Sequence, residues 1–196
     1  MRDVEVQLFV LQCAVIAKER AKVEASLGLT QNESDVEQAA DALIRPYVDQ
    51  VDFGIRSAST RMSEYYALFY QLENTIRNFI VETLEAEKGP EWWDDCVRDP
   101  VASNAASNQR KEMREGVAFR SQRLIDYTNF GELGEIIKTN WDTFGGIMSN
   151  VDVVAVEKVV KRLNGLRAPI AHCAGLEESE VVRLKLAIRD WFRLLE

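Results

Sequence analysis

In the stretch LNGLRAPIAHC, residues 163–173, four residues separate Arg167 from His172, and His172 is the only histidine of the chain. These two side-chain types suit one chemistry in particular. Histidine moves protons near neutral pH. The guanidinium fork of arginine grips two phosphate oxygens at once. RNA is cut without a metal when its own 2′-hydroxyl attacks the adjacent phosphate. That reaction needs a base for the hydroxyl, an acid for the leaving oxygen, and positive charge on the phosphorane. One chain supplies one histidine; two copies of Arg-x4-His related by a two-fold axis supply two histidines and two arginines around one phosphate. A lone histidine beside Ile170 and Ala171 is more often a structural residue, which here would be buried and inert in a helical bundle.

The elements that must position the pair are helical. On a straight helix, residues five apart point about 140° away from each other, so Arg167 and His172 would not share a face. Pro169 donates no hydrogen bond, and its ring clashes with the carbonyl of Gly165. A kink or restart there is expected to bring both side chains toward one groove, with Arg167 near a helix end whose dipole favours its charge. A helix over about 152–166 leads into this stretch, and EESEVVRLKLAIRDWFRLLE makes a terminal amphipathic helix.

Upstream, SEYYALFYQLENTIRNFIVETLEAEKG is the strongest helix of the sequence, with Ser63 as its expected cap and Gly89 as its end. Tyr65, Phe69, Leu72, Ile76, Phe79, Ile80 and Leu84 recur at three- and four-residue steps, the pattern of a central core helix. Trp92 and Trp93 follow a Gly-Pro turn and are expected to pack on the core. A helix is expected over about 103–124, carrying Arg110, Lys111, Arg114, Arg120 and Arg123 on a solvated face. A capped helix over 129–140 and a loop at Gly145 and Gly146 come next. Before all of these, helices over 4–27 and 34–51, the second bent or broken at Pro46, form an N-terminal helical hairpin. Residues 1–60 hold 10 acidic against 6 basic residues. No strand-like alternation or repeat is visible. The expected architecture is all-α, with the hairpin over 1–60 and a helical domain over 61–196.

Composition narrows the function classes. A net charge of −8 argues against non-specific coating of nucleic acid, while leaving room for a small basic cleft on an acidic body. Cys13, Cys96 and Cys173 are far apart, with no CxxC pair, and read as free thiols of a reducing, cytoplasmic compartment. The longest apolar run, LFVLQCAVIA, is too short to span a bilayer. There is no glycine-rich phosphate loop. No metal site and no cofactor are expected.

From about residue 63 onward the chain resembles the HEPN superfamily, in the branch found in bacterial defence proteins, toxins and an RNA-surveillance endonuclease. The resemblance is carried in order by YALFYQLENTIRNFI followed by GPEWW, by FGELGEIIKTNW, and by LNGLRAPIAH, which matches the Arg-x4–6-His signature before a last helix. It implies a HEPN-like helical bundle that forms a homodimer, joins two signatures and acts as a metal-independent ribonuclease, with Arg167 and His172 as the catalytic pair. Glu73, Asn74 and Arg77 on the first core helix are the residues expected to line the same cleft. RNA, a tRNA loop among the defined targets, is the expected partner, together with an antitoxin or defence-system protein. The chain departs from the pattern at Ala168, where many active members carry a polar residue. This keeps open a non-catalytic module that dimerises, binds RNA or protein, and regulates a partner.

Overall fold

The computed structural model describes residues 31–116, 118, 120–148 and 151–196, with side chains described from residue 38 onward except at the excluded positions. The described residues form helices and no strand. They are α1 (Gln31–Val48), α2 (Phe53–Lys88), α3 (Trp92–Cys96), α4 (Val101–Glu115), a 3₁₀ turn (Leu124–Tyr127), α5 (Phe130–Thr139), α6 (Trp141–Phe144), α7 (Val153–Ala171) and α8 (Glu178–Arg193). The chain divides into two compact units, Met1–Arg56 and Ser57–Glu196. The expected helix over 4–27, and with it the hairpin, lies outside the described residues. In the first unit, α1 holds Pro46 in its last turn and ends two residues later.

The second unit is built around α2. Phe69, Leu72, Ile76, Ile80 and Leu84 form its buried stripe, as the periodicity predicts, and they join one core with residues of α5, α7 and α8. Phe69 meets Phe130 edge-on at 6.2 Å, and Phe79 lies 5.5 Å from Phe144 and 6.5 Å from Trp191. Each aliphatic side chain buried in this way contributes roughly 1.5–3 kcal/mol relative to exposure. Trp92 is buried, and Trp93 packs against the same core.

Ser63 does not start this helix. Asp52 does: its carboxylate accepts from the backbone N–H of Gly54 at 2.8 Å and of Ile55 at 3.3 Å. Ser63 lies inside the helix and donates to the Thr60 carbonyl at 2.7 Å, so its hydroxyl is satisfied without a cap.

The helix expected over 103–124 is also shorter than its charge pattern suggests. It runs from Val101 to Glu115 and ends at Gly116, whose φ of 64° is left-handed and suits glycine. Arg120 and Arg123 therefore leave the face that carries Arg110, Lys111 and Arg114. α5 begins as expected, with a capping box in which Asn129 accepts from the Glu132 N–H at 3.1 Å and Glu132 accepts from the Asn129 N–H at 2.8 Å. α5 packs along α7, and α7 along α8. Gly134 permits the first approach: a Cβ there would stand 2.7 Å from Val160 Cγ1. The register of α7, and hence the place of Arg167, depends on that contact.

Candidate functional site

The helix α2 brings polar residues to one end of its buried stripe. Glu73 is buried, and it sits four residues before Arg77, the favourable order for a helical ion pair. Arg77 Nη2 donates to Glu73 Oε1 and, at 2.9 Å, to the carbonyl of Thr128 just after the 3₁₀ turn. Its Nη1 donates to Asn74 Oδ1 at 3.4 Å, while Asn74 Nδ2 donates back to the Tyr70 carbonyl at 2.8 Å. From α7, Arg167 reaches the other carboxylate oxygen: its Nε lies 3.2 Å from Glu73 Oε2. One buried carboxylate thus binds two guanidiniums from two helices.

The two arginines differ in what they leave free. Arg77 keeps only 12% of its side-chain surface in solvent and Arg167 keeps 38%. Among the described residues, neither terminal nitrogen of Arg167 has a protein hydrogen-bond partner. The ion pair lies on the Nε side of the guanidinium and leaves its outer edge open to a ligand with two oxygens. That edge lines a groove of about 810 Å³, together with Glu73, Asn74, Arg77, Tyr66 and Tyr70 of α2.

The far wall of the groove comes from residues that the sequence reading placed on a solvated helix face. Arg123 holds Asp126 with two hydrogen bonds of 3.0 Å. Burial alone would raise the Asp126 carboxyl, but hydrogen bonds from Arg123 and Ser121 and the charges of Arg123 and Arg77 bring it below its ordinary value. Arg120 pairs with Glu112, 4.9 Å over the ring of Tyr127, and its hydrogen bond holds the Glu112 carboxyl below the ordinary range. The signal for this wall was Gly116, a stop that ends the helix and lets the chain return. Around the groove, Arg77, Arg120, Arg123 and Arg167 face Glu73, Glu112 and Asp126, an excess of positive charge on a chain of net charge −8.

His172 is not in this groove. Helix α7 continues through Pro169 to Ala171, and the groove lining ends there, with Ile170 and Ala171. The expected restart at Pro169 does not occur: the turns before the proline are held in the core through Leu163 and Leu166. His172 caps the helix and is exposed, so it is not the buried histidine that a purely structural bundle would hold. Its place is fixed by backbone bonds. The N–H of Cys173 donates to Ile170 at 3.2 Å and that of Ala174 to Pro169 at 2.8 Å, with Cys173 left-handed at φ 56°. This is a Schellman turn with cysteine where glycine is usual. Arg167, Glu73, Asn74 and Arg77 are thus brought together within one chain, and His172 stands apart from them at the open end of the same helix.

Among the described residues, no group of three or more His, Cys, Asp and Glu residues is arranged to hold a metal ion, and no helix is long and apolar enough to cross a membrane. Cys96 and Cys173 are both free thiols; Cys13 lies outside the described residues.

No curated protein and no solved structure matches the chain. The family model of the Swt1-like HEPN domain matches residues 67–196, from the middle of α2 through α8 and so including Glu73, Asn74, Arg77, Arg167 and His172, and the chain belongs to that family.

Proposed function

We propose that the chain is a metal-independent endoribonuclease whose active site is completed by a second copy, and that it acts as a toxin or defence effector. The observation that carries this reading is Arg167: a buried carboxylate aims it, and its two terminal nitrogens are left open on a positively charged groove. An HEPN domain implies a ribonuclease-like or nucleotide-binding module, and such domains commonly dimerise. In a two-fold dimer the exposed end of α7 meets its own copy. His172 then takes the 2′-hydroxyl proton, the partner's His172 protonates the leaving 5′-oxygen, and the arginines stabilise the charge of the phosphorane. The products are a 2′,3′-cyclic phosphate and a 5′-hydroxyl. Glu73 positions Arg167, and Asn74 and Arg77 support Glu73.

A second reading, a module that binds RNA or a partner protein without cutting, is favoured by Ala168 and by the separation of His172 from the groove within one chain. Cleavage of total cellular RNA in EDTA separates the two. The first reading expects cyclic-phosphate ends from the wild type and none from Arg167→Ala or His172→Ala. Equal cleavage by all three places the chemistry elsewhere. No cleavage by any, from a protein that dimerises, selects the binding module.

A further inference from the structure

The groove has a feature that phosphate chemistry alone does not use. Along α2, Tyr65, Phe69 and Leu72 turn toward the core, while Tyr66 and Tyr70 turn outward onto the groove. Their exposures are 61% and 60%. Their rings lie 6.3 Å apart, tilted by 34°, and no other aromatic ring covers either among the described residues. Neither hydroxyl has a hydrogen-bond partner among the described residues. The next groove residues on the same helix are Glu73, Asn74 and Arg77, so two open rings are followed over about 16 Å of helix by the carboxylate that carries Arg77 and, from α7, Arg167.

Aromatic faces beside arginines are the two parts that hold single-stranded nucleic acid: bases stack on rings, and phosphates follow the positive charge. Arg120 and Arg123 keep about half of their side-chain surface in solvent. Their partner carboxylates, Glu112 and Asp126, keep only 16% and 15%, so each guanidinium stays paired and offers a phosphate its solvent-facing edge. The positive excess in the groove, set against the acidic remainder of the chain, favours an anionic occupant over a second copy of an acidic protein.

We propose that Tyr66 and Tyr70 form a stacking platform for unpaired bases of single-stranded RNA, whose backbone runs along the groove arginines toward Arg167. This rests on the reading of the groove as an RNA site, and it restricts the substrate to loops and single strands, since paired bases have no free face to offer.

The test uses the full chain and labelled 2′-O-methyl decamers, which cannot be cut through the 2′-oxygen. Fluorescence anisotropy measures binding of oligouridine, of an abasic strand of equal length, and of the same decamer in a duplex. The expected result is binding of the single strand well above the abasic strand and the duplex. Tyr66→Ala and Tyr70→Ala should each weaken it by about tenfold, and Tyr66→Trp and Tyr70→Trp should restore it. An unchanged dissociation constant in the double alanine variant overturns the platform, and RNA cleavage by that same variant at wild-type rate leaves the nuclease reading standing. Loss of the dimer on sedimentation in the alanine variants also overturns it, by assigning the tyrosines to an interface between copies. A wild-type chain that neither binds nor cuts RNA removes the platform and the reading beneath it together.

Discussion

Arg167 and His172 lie five residues apart on one helix and have opposite surroundings. Arg167 is half-buried, and its Nε is held by a carboxylate that a second arginine also grips. His172 is exposed at the helix cap, with its backbone fixed by a Schellman turn and its ring touching no ion-pair partner among the described residues. On the proposed mechanism the difference divides two tasks. A group that stabilises charge must be aimed before the reaction, because reorganisation during it costs rate. A group that passes protons between two copies has to face the copy, and burial within its own chain would prevent that.

The sharpest way to break the comparison is to remove the free end. His172→Ala is expected to lower cleavage by roughly 10²–10⁴-fold while leaving stability within about 0.5 kcal/mol, since the ring is exposed. Growth arrest on expression of the wild-type chain should disappear with it. A variant that remains toxic and active would make the histidine a bystander.

Removing the held end is next. Arg167→Ala is expected to cost on the order of a hundredfold in rate. Arg167→Lys should be nearly as damaging, because a point charge cannot both accept the grip of Glu73 and present a two-pronged edge. Steady-state kinetics at saturating RNA read this as a loss in kcat; full activity of the lysine variant would show that the fork is not used.

Breaking the grip itself tests what holds the arginine. Glu73→Gln leaves the Arg77 guanidinium buried without its counter-charge. The expected destabilisation is about 3 kcal/mol, read as a lowered urea midpoint, with a fall in activity from a mobile Arg167. If stability is unchanged, Glu73 is not the clamp that its position between the two arginines implies.

The smallest effect sharpens the other end. Cys173 holds a left-handed φ of 56°, which costs a non-glycine residue about 1 kcal/mol. Cys173→Gly is expected to raise the melting temperature by a few degrees and to leave His172 in place and active. A lowered melting temperature would mean that the cysteine side chain, not the turn, holds this end.

Much of this site was legible in the sequence because it depends on local rules. The three- and four-residue stripe of α2 marked its buried face, while Glu73, Asn74 and Arg77 were pointed out by the family resemblance and not by spacing. The Asn129–Glu132 capping box marked the start of α5. The helix leading into LNGLRAPIAH, with the family resemblance, brought Arg167 to the same cleft. What escaped depends on chain reversal and on strength of packing. Ser63 has the composition of a cap, but Asp52 reaches two backbone N–H groups and starts the helix eleven residues earlier. Gly116 ends α4 and returns Arg120 and Arg123 to the groove, against a charge pattern that reads as one continuous face. Pro169 has the chemistry of a break, yet it falls two residues from the helix end, where few bonds remain to be lost. Tyr66 and Tyr70 alternate with core aromatics, and only the rotation of α2 in the bundle shows which ring faces inward.

The central claim is that two copies of the α7 end share one phosphate. Its most direct test is the rate of RNA cleavage per chain in EDTA, followed by dilution from micromolar to nanomolar protein, with the dimer fraction measured by sedimentation in the same buffer. The account predicts that the rate per chain falls in step with the dimer fraction and that the ends formed are 2′,3′-cyclic phosphates at every concentration. A constant rate per chain through the range where the protein is monomeric would contradict it.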